Sequence, residues 1–187
     1  MSSQTAPAPA GRTTWAIDPA HSSVEFSVRH LMITTVRGRF TGVTGSIVID
    51  EATPGSSVVD VVIDAASIDT REAQRDAHLR SADFFDVEQF PTLTFRSTGL
   101  EGAPDGPFTL AGDLTIHGVT RPVVLDVEPE GRIKDAWGGF RSGFTATTKI
   151  RRSEFGLTWN QLLEAGGVSV SDEVKISLDI QLVQQGG

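Results

Sequence analysis

From Val24 onward, apolar and polar positions alternate one by one, with Val24, Phe26 and Val28 set against Glu25, Ser27 and Arg29. A period of two puts one face of an extended chain in the interior and the other in water, the pattern of an amphipathic antiparallel strand. The same period predicts strands over 43–50, 58–64, 92–97, 108–116, 123–128, 138–150 and 174–182, with shorter ones at 15–18 and 36–40. Turn pairs such as Asp105-Gly106, His117-Gly118 and Glu130-Gly131 are short enough for hairpins, so neighbouring strands run antiparallel. This yields an all-β chain of eight to ten strands. Periodicity leaves open whether the apolar face closes on itself as a barrel or packs on a second sheet as a sandwich.

Two segments break the period. Asp69 to Arg80 lacks Gly and Pro and predicts a three-turn helix lying over the rim, with Asp69 as its cap and Glu72 returning the bond. Ser81 to Phe90 is expected to add a helical turn pinned by Phe84, Phe85 and Phe90, and Asn160 to Ala165, ended by Gly166-Gly167, is a second helix candidate. The domain is expected over 14–183. Residues 1–13 (MSSQTAPAPAGRT) form an expected disordered tail, and 184–187 a flexible end. That first stretch carries no apolar run of the kind a leader needs, so the expected location is the cytoplasm.

Composition agrees with this picture and narrows the chemistry. Val, Ile and Thr make up about a quarter of the chain and suit a pleated surface. A net charge of −8 with 24 acidic against 16 basic residues argues against a phosphate-backbone binder, and zero Cys removes thiol nucleophiles and sulfur-ligated metal. The four histidines, His21, His30, His78 and His117, show no metal-ligand spacing. No GxSxG, P-loop or GxGxxG is present. Arg71 and Arg75, one turn apart on the expected helix, can grip a phosphate or carboxylate, or simply pair with Glu72 and Asp76. Ten Phe and no Tyr leave an interior that is either ordinary core or the lining of a pocket for an apolar ligand.

A set of longer strings carries a resemblance. WAIDPAHSSVEFSVRH from Trp15, VRGRF from Val36, SIDT from Ser67, RDAHLRSADFFD from Arg75, FPTLTF from Phe90, LTIHGVTRP from Leu114 and RSEFGL from Arg152 follow in order and at compatible spacing. Together they resemble the YceI-like family. The resemblance implies an eight-stranded antiparallel, lipocalin-like barrel with one short helix and small helical turns at its rim. It also implies a hydrophobic cavity for a polyisoprenoid or similar long-chain amphiphile and a homodimer; loose tail specificity admits an isoprenoid quinone, and with no nucleophile motif and no metal spacing no catalytic residue, metal or cofactor is expected.

On that barrel the cavity lining is expected from Phe26, Val28, Phe40, Phe95, Leu114, Ile116, Phe140, Phe144 and Ile176. Arg71, Arg75 and His78, with the Arg151-Arg152 pair, are the cations available to a head group at the mouth. The expected role is non-enzymatic binding, storage or transport of the lipid. The alternatives are an enzyme using His30, His78 or Asp76 as general acid and base in the same cavity, or a stress-related scaffold whose barrel is filled.

Overall fold

One apolar face on every strand has to be covered, and the chain covers it by rolling the sheet closed. The computed structural model describes residues 11–103, 105–164 and 166–186. Eight long antiparallel strands run up and down in chain order, three of them broken near the middle. The first consists of β1 (Arg12–Ile17) and β2 (Ser23–His30), interrupted by a 3-10 turn at Pro19–His21. The second is β3 (Thr34–Phe40) with β4 (Val43–Asp50), and the third is β5 (Val58–Asp64) with the two-residue β6 (Ile68–Asp69). Then come β7 (Thr92–Gly102), β8 (Phe108–Ile116), β9 (Val119–Lys134), β10 (Phe140–Arg151) and β11 (Glu173–Gln185). The early half of β11 pairs with β2 and its late half with β1, which closes the barrel.

Closure resolves the barrel-or-sandwich question and lengthens several strands beyond the reach of the alternation. Arg12 and Thr13 pair with Asp50 and Ile49 in β1, so the folded chain begins inside the stretch expected as a tail; residues 1–10 of that tail lie outside the described residues. At the other end Gln184 and Gln185 pair with Trp15 and Thr14, extending the strand past Val183. The Glu130-Gly131 hairpin is not formed. That pair lies inside β9 at a bulge opposite Gly143/Phe144, and the chain turns at Asp135 to Gly139 instead. His117-Gly118 does form its two-residue turn, with φ of 54° and 73°, the type I′ geometry whose twist matches the flanking strands.

The helix also starts later than expected. Asp69 is extended, paired with Arg39 across the β3–β6 ladder, so the chain cannot coil there. The only α-helix among the described residues, α1 (Ala73–Arg80), is capped by Glu72, whose carboxylate accepts from the N–H groups of Gln74 (3.2 Å) and Arg75 (2.6 Å). Ser81 to Phe90 forms hydrogen-bonded turns. The expected helix at Asn160 is absent from the described residues: the Asn160 amide spends itself on Gln161, Ser169 and Val170, which folds the segment into an irregular strap, and Ala165 lies outside the described residues. None of the described helices is long and apolar enough to cross a membrane.

The break between β1 and β2 is latched from outside. The Arg141 guanidinium donates to Asp18 (2.9 Å) and Asp135 (3.2 Å), and the His21 imidazole bonds the same Asp18 oxygen (2.8 Å). The His21 bond, helped by Arg141, holds the Asp18 carboxyl below its ordinary value of 3.8. The Gly139 and Trp137 N–H groups and Arg141 do the same for Asp135. Groups lowered in the fold stabilise it fully above their unfolded pKa and lose that contribution as pH falls through the folded value. The melting temperature is therefore expected to show no carboxylate-driven loss from neutral pH down to about pH 4 and to fall steeply below it. Thermal melts of Arg141→Met across that range should show a shallower acid limb; an acid limb identical to that of the parent protein would contradict the latch.

Candidate functional site

The two ends of the barrel are packed differently. At the end reached by the β9–β10 turn, Trp15, Ile17, Ile47, Leu110, Val127 and Leu182 are buried and fill the interior with side chains. Toward the α1 end the walls are lined but not filled, leaving a cavity of about 530 Å³. That volume falls in the range of small-molecule sites, and an eight-stranded barrel is just wide enough for one such ligand.

Its walls are the inward positions of the upper half-strands. Phe26 and Val28 come from β2, Phe40 from β3, Leu114 and Ile116 from β8, and Ile176 from β11. These are six of the nine residues expected there. The wall accommodates Phe26 because Gly38 faces it across the β2–β3 ladder: a Cβ at Gly38 would stand 2.3 Å from the ring tip. The roof is made of residues that strand periodicity did not single out. Leu79 of α1 and Phe84 and Phe85 of the following turns cover one side, and Leu157, Trp159 and Leu163 of the strap cover the other. His78 meets Phe84 and Trp159 edge to face at 5.1 and 4.8 Å, and Phe84 and Trp159 lie tilted to each other at 5.3 Å.

The other three expected wall residues sit elsewhere. Phe95 belongs to the packed core, its ring lying over Gly112, where a Cβ would stand 2.4 Å away. Phe144 packs edge-on against Phe108 at 6.3 Å. Phe140 is half exposed at the opposite end, beneath the Lys134 ammonium. Alternation identifies the inward face of a strand but gives no height along the barrel axis, and only the upper levels reach the cavity.

The expected head-group cations also divide. Arg75 and His78 border the cavity, but Arg71 has φ of 65° and points to the outer wall. Arg75 donates from Nε to Thr70 Oγ1 (2.8 Å) and from Nη2 to the Thr70 carbonyl (2.7 Å), leaving N–H groups without a partner among the described residues. Asp76 is buried beneath, accepting from the Thr70 N–H and hydroxyl. His78 Nε2 bonds Asp83 at 2.8 Å. Asp76 and His78 therefore have separate partners and form no acid–base pair with each other. Arg152, expected as an available cation, borders the cavity but is committed: its guanidinium donates to the carbonyls of Leu157, Trp159, Val170 and Ser171. Burial pulls its pKa down, opposed by nearby Asp172. Among the described residues no three His, Asp or Glu side chains gather as a metal-ligand set.

An up-and-down eight-stranded barrel, filled at one end and hollow at the other under a helix and a strap, defines a lipocalin-like binding fold. The YceI-like domain profile matches residues 15–182, and the chain belongs to the YceI-like family. A UPF0312 protein of Vibrio cholerae is 42% identical over 138 residues, covering 74% of this chain and 73% of its own length. Among solved structures, BcnA of Burkholderia cenocepacia superposes with a TM-score of 0.76 at 24% identity, covering 88% of this chain and 98% of its own. A polyisoprenoid binding domain from Saccharophagus degradans, implicated in plant cell wall breakdown, superposes with a TM-score of 0.67 at 17% identity, covering 92% and 99%. At those identities the two structures speak for the fold.

Proposed function

We propose that the barrel binds a long-chain isoprenoid amphiphile, a polyprenyl lipid or isoprenoid quinone, with its tail in the cavity and its head at the α1 mouth. The observation that carries this reading is the cavity itself, about 530 Å³ and walled mainly by aliphatic and aromatic side chains, with Arg75 and His78 of α1 on its border. A hydrocarbon tail offers no hydrogen bonds, so affinity comes from apolar area leaving water. At ~0.8 kcal/mol per CH₂, about ten buried carbons gain on the order of 8 kcal/mol before the cost of ordering them. Discrimination between tails is weak on this basis, and Arg75 and His78 supply what selectivity the head receives. The polyisoprenoid-binding description of the Saccharophagus domain supports the same class of ligand.

In this reading the barrel carries or stores an insoluble ligand by enclosing it, and the protein acts as a homodimer. Organic extraction of the purified protein followed by mass spectrometry is expected to release a prenyl lipid or quinone. Absence of such a lipid, together with no saturable uptake of a ubiquinone analogue, would overturn the proposal.

A further inference from the structure

The cavity mouth is bordered by an apolar tip that the fold maintains against two costs. The β2–β3 hairpin turns at His30 to Ile33, closed by the Ile33 N–H on the His30 carbonyl at 3.1 Å. Leu31 and Met32 occupy its centre with φ of 52° and 59°. Both lie in the left-handed region, which favours Asn and Gly and strains bulky side chains. Strain is joined by exposure, since Met32 is 57% and Ile33 73% accessible. The tip is also tethered. The Leu31 N–H donates to the Ser169 carbonyl (2.8 Å) and the Ser171 N–H to the Arg29 carbonyl (3.0 Å), which fixes the hairpin to the strap carrying Leu162, 83% exposed. Leu31 and Leu163 line the cavity, so this platform stands at its opening.

Cations lie behind the platform. The Arg29 guanidinium sits against the tip, donating to the Met32 carbonyl (3.1 Å) and Thr35 Oγ1 (2.9 Å). One level further down the outer wall, the ladder aligns Arg37, Ser27, Lys175 and Lys149 across four strands. Among the described residues no carboxylate lies within 4.0 Å of Arg37, Lys149 or Lys175. Lys149 directly faces Lys175, a like-charge pairing that costs stability. Such a row in a chain of net charge −8 is a local feature and does not follow from composition. Glu173 faces Arg151 across the ladder, Glu164 stands on the strap, and Glu25 and Asp179 lie lower on the same outer wall with Asp69 and Asp126 beside it, so the positive potential is confined to the Arg29 and Arg37–Lys149 levels of the β3–β2–β11–β10 wall.

We infer that this end of the barrel docks on the interface of an anionic lipid bilayer, with Leu31, Met32, Ile33 and Leu162 entering the headgroup–acyl boundary and Arg29, Arg37, Lys149 and Lys175 meeting lipid phosphates. The inference rests on the cavity being a lipid site, because docking brings its mouth to where such a ligand resides. A handful of aliphatic side chains falls well short of the ~800 Å² per partner of a stable protein interface but suits shallow, reversible insertion. Insertion to a depth of about 5–10 Å places Arg37, about 13 Å along the strand from Ile33, beside the phosphate layer.

The full chain is expected to co-sediment with vesicles of phosphatidylcholine containing phosphatidylglycerol, more weakly with phosphatidylcholine alone, and to be released by salt. Replacing Met32→Gly together with Ile33→Ser removes two exposed aliphatic side chains that do not line the cavity and puts Gly at the positive φ of position 32, so the melting temperature is retained or raised while vesicle partition falls roughly tenfold or more. Lys149→Glu with Lys175→Glu is expected to abolish the preference for the anionic vesicles. Both double variants should still take up farnesol from solution, so a failure of docking is separable from a failure of the ligand reading. The inference is overturned if the parent protein does not sediment with the anionic vesicles or if the Met32→Gly/Ile33→Ser variant sediments like the parent. It is equally overturned if that variant turns a dimer into a monomer in sedimentation equilibrium, which would assign the tip to a second copy of the chain.

Discussion

With Val28→Trp and Ile150→Trp introduced together, binding of a ubiquinone analogue is expected to fall at least ~100-fold while the barrel stays folded. Both side chains are partly buried on the cavity wall, one on β2 and the other on β10. Two indoles at those positions occupy space that a tail would otherwise fill, and each ~1.4 kcal/mol of lost burial is a tenfold loss in affinity. Overpacking a filled core costs ~1–3 kcal/mol, but here the added volume enters an existing cavity. Phe144→Ala provides the contrasting outcome. Phe144 packs on Phe108 away from the cavity wall, so truncation leaves a void costing ~3–5 kcal/mol of stability and little change in affinity per folded molecule. Fluorescence titration paired with thermal melts separates the two. Undiminished binding by the double Trp variant would remove the cavity from consideration as the ligand site.

That contrast marks where sequence pattern stops informing. Alternation on β4, β5 and β8 identifies their bounds residue for residue, because each is amphipathic from end to end. It falls short on β9, whose outer half after Glu128 is exposed on nearly every side chain and held by ladder bonds that leave no hydrophobic trace. For the cavity, inward direction was legible for Phe26, Phe40, Leu114 and Ile176, but height along the axis was not. Height depends on barrel stagger, a property of all eight strands at once, so Phe95 and Phe144 carry the same local signal as Phe26 and sit in the packed half.

The roof was the least legible part. Leu79 and Leu157 lie in segments without strand period, and Trp159 sits in a strap whose shape is set by side chain to backbone bonds. One helix start and one whole helix differ from expectation for related reasons: Asp69 was drawn into a ladder by Arg39, and Asn160 was diverted to its own backbone neighbours. Tertiary pairing and local polar bonds both outweigh the small propensities on which helix expectations rest.

Arg152→Met is expected to lower the melting temperature by on the order of 10 °C and to loosen the strap. Arg152 is only 6% exposed, and its guanidinium gathers four carbonyls from both ends of one excursion: Leu157 and Trp159 where the strap leaves the barrel, Val170 and Ser171 where it returns. Met fills much of the same volume but donates nothing, so those carbonyls lose their partner at ~1–3 kcal/mol for each that water cannot reach. A net cost of ~3–5 kcal/mol, with ~2–4 °C per kcal/mol for a chain of this length, gives the expected shift. Arg152→Lys keeps the charge but has three donors to divide among four carbonyls, so it should fall between parent and Met. Hydrogen exchange should localise the loss to amides of the strap such as Leu163, Ser169 and Ser171, whose N–H groups are bonded in the parent fold. Because the strap carries Trp159 and Leu163 over the cavity, ligand release should accelerate more than association changes. If Arg152 were instead a head-group ligand, Met would weaken binding of a charged prenyl pyrophosphate yet spare farnesol, and the melting temperature would not move. A melt within about 2 °C of the parent, with strap amides equally protected, would therefore contradict the clamp.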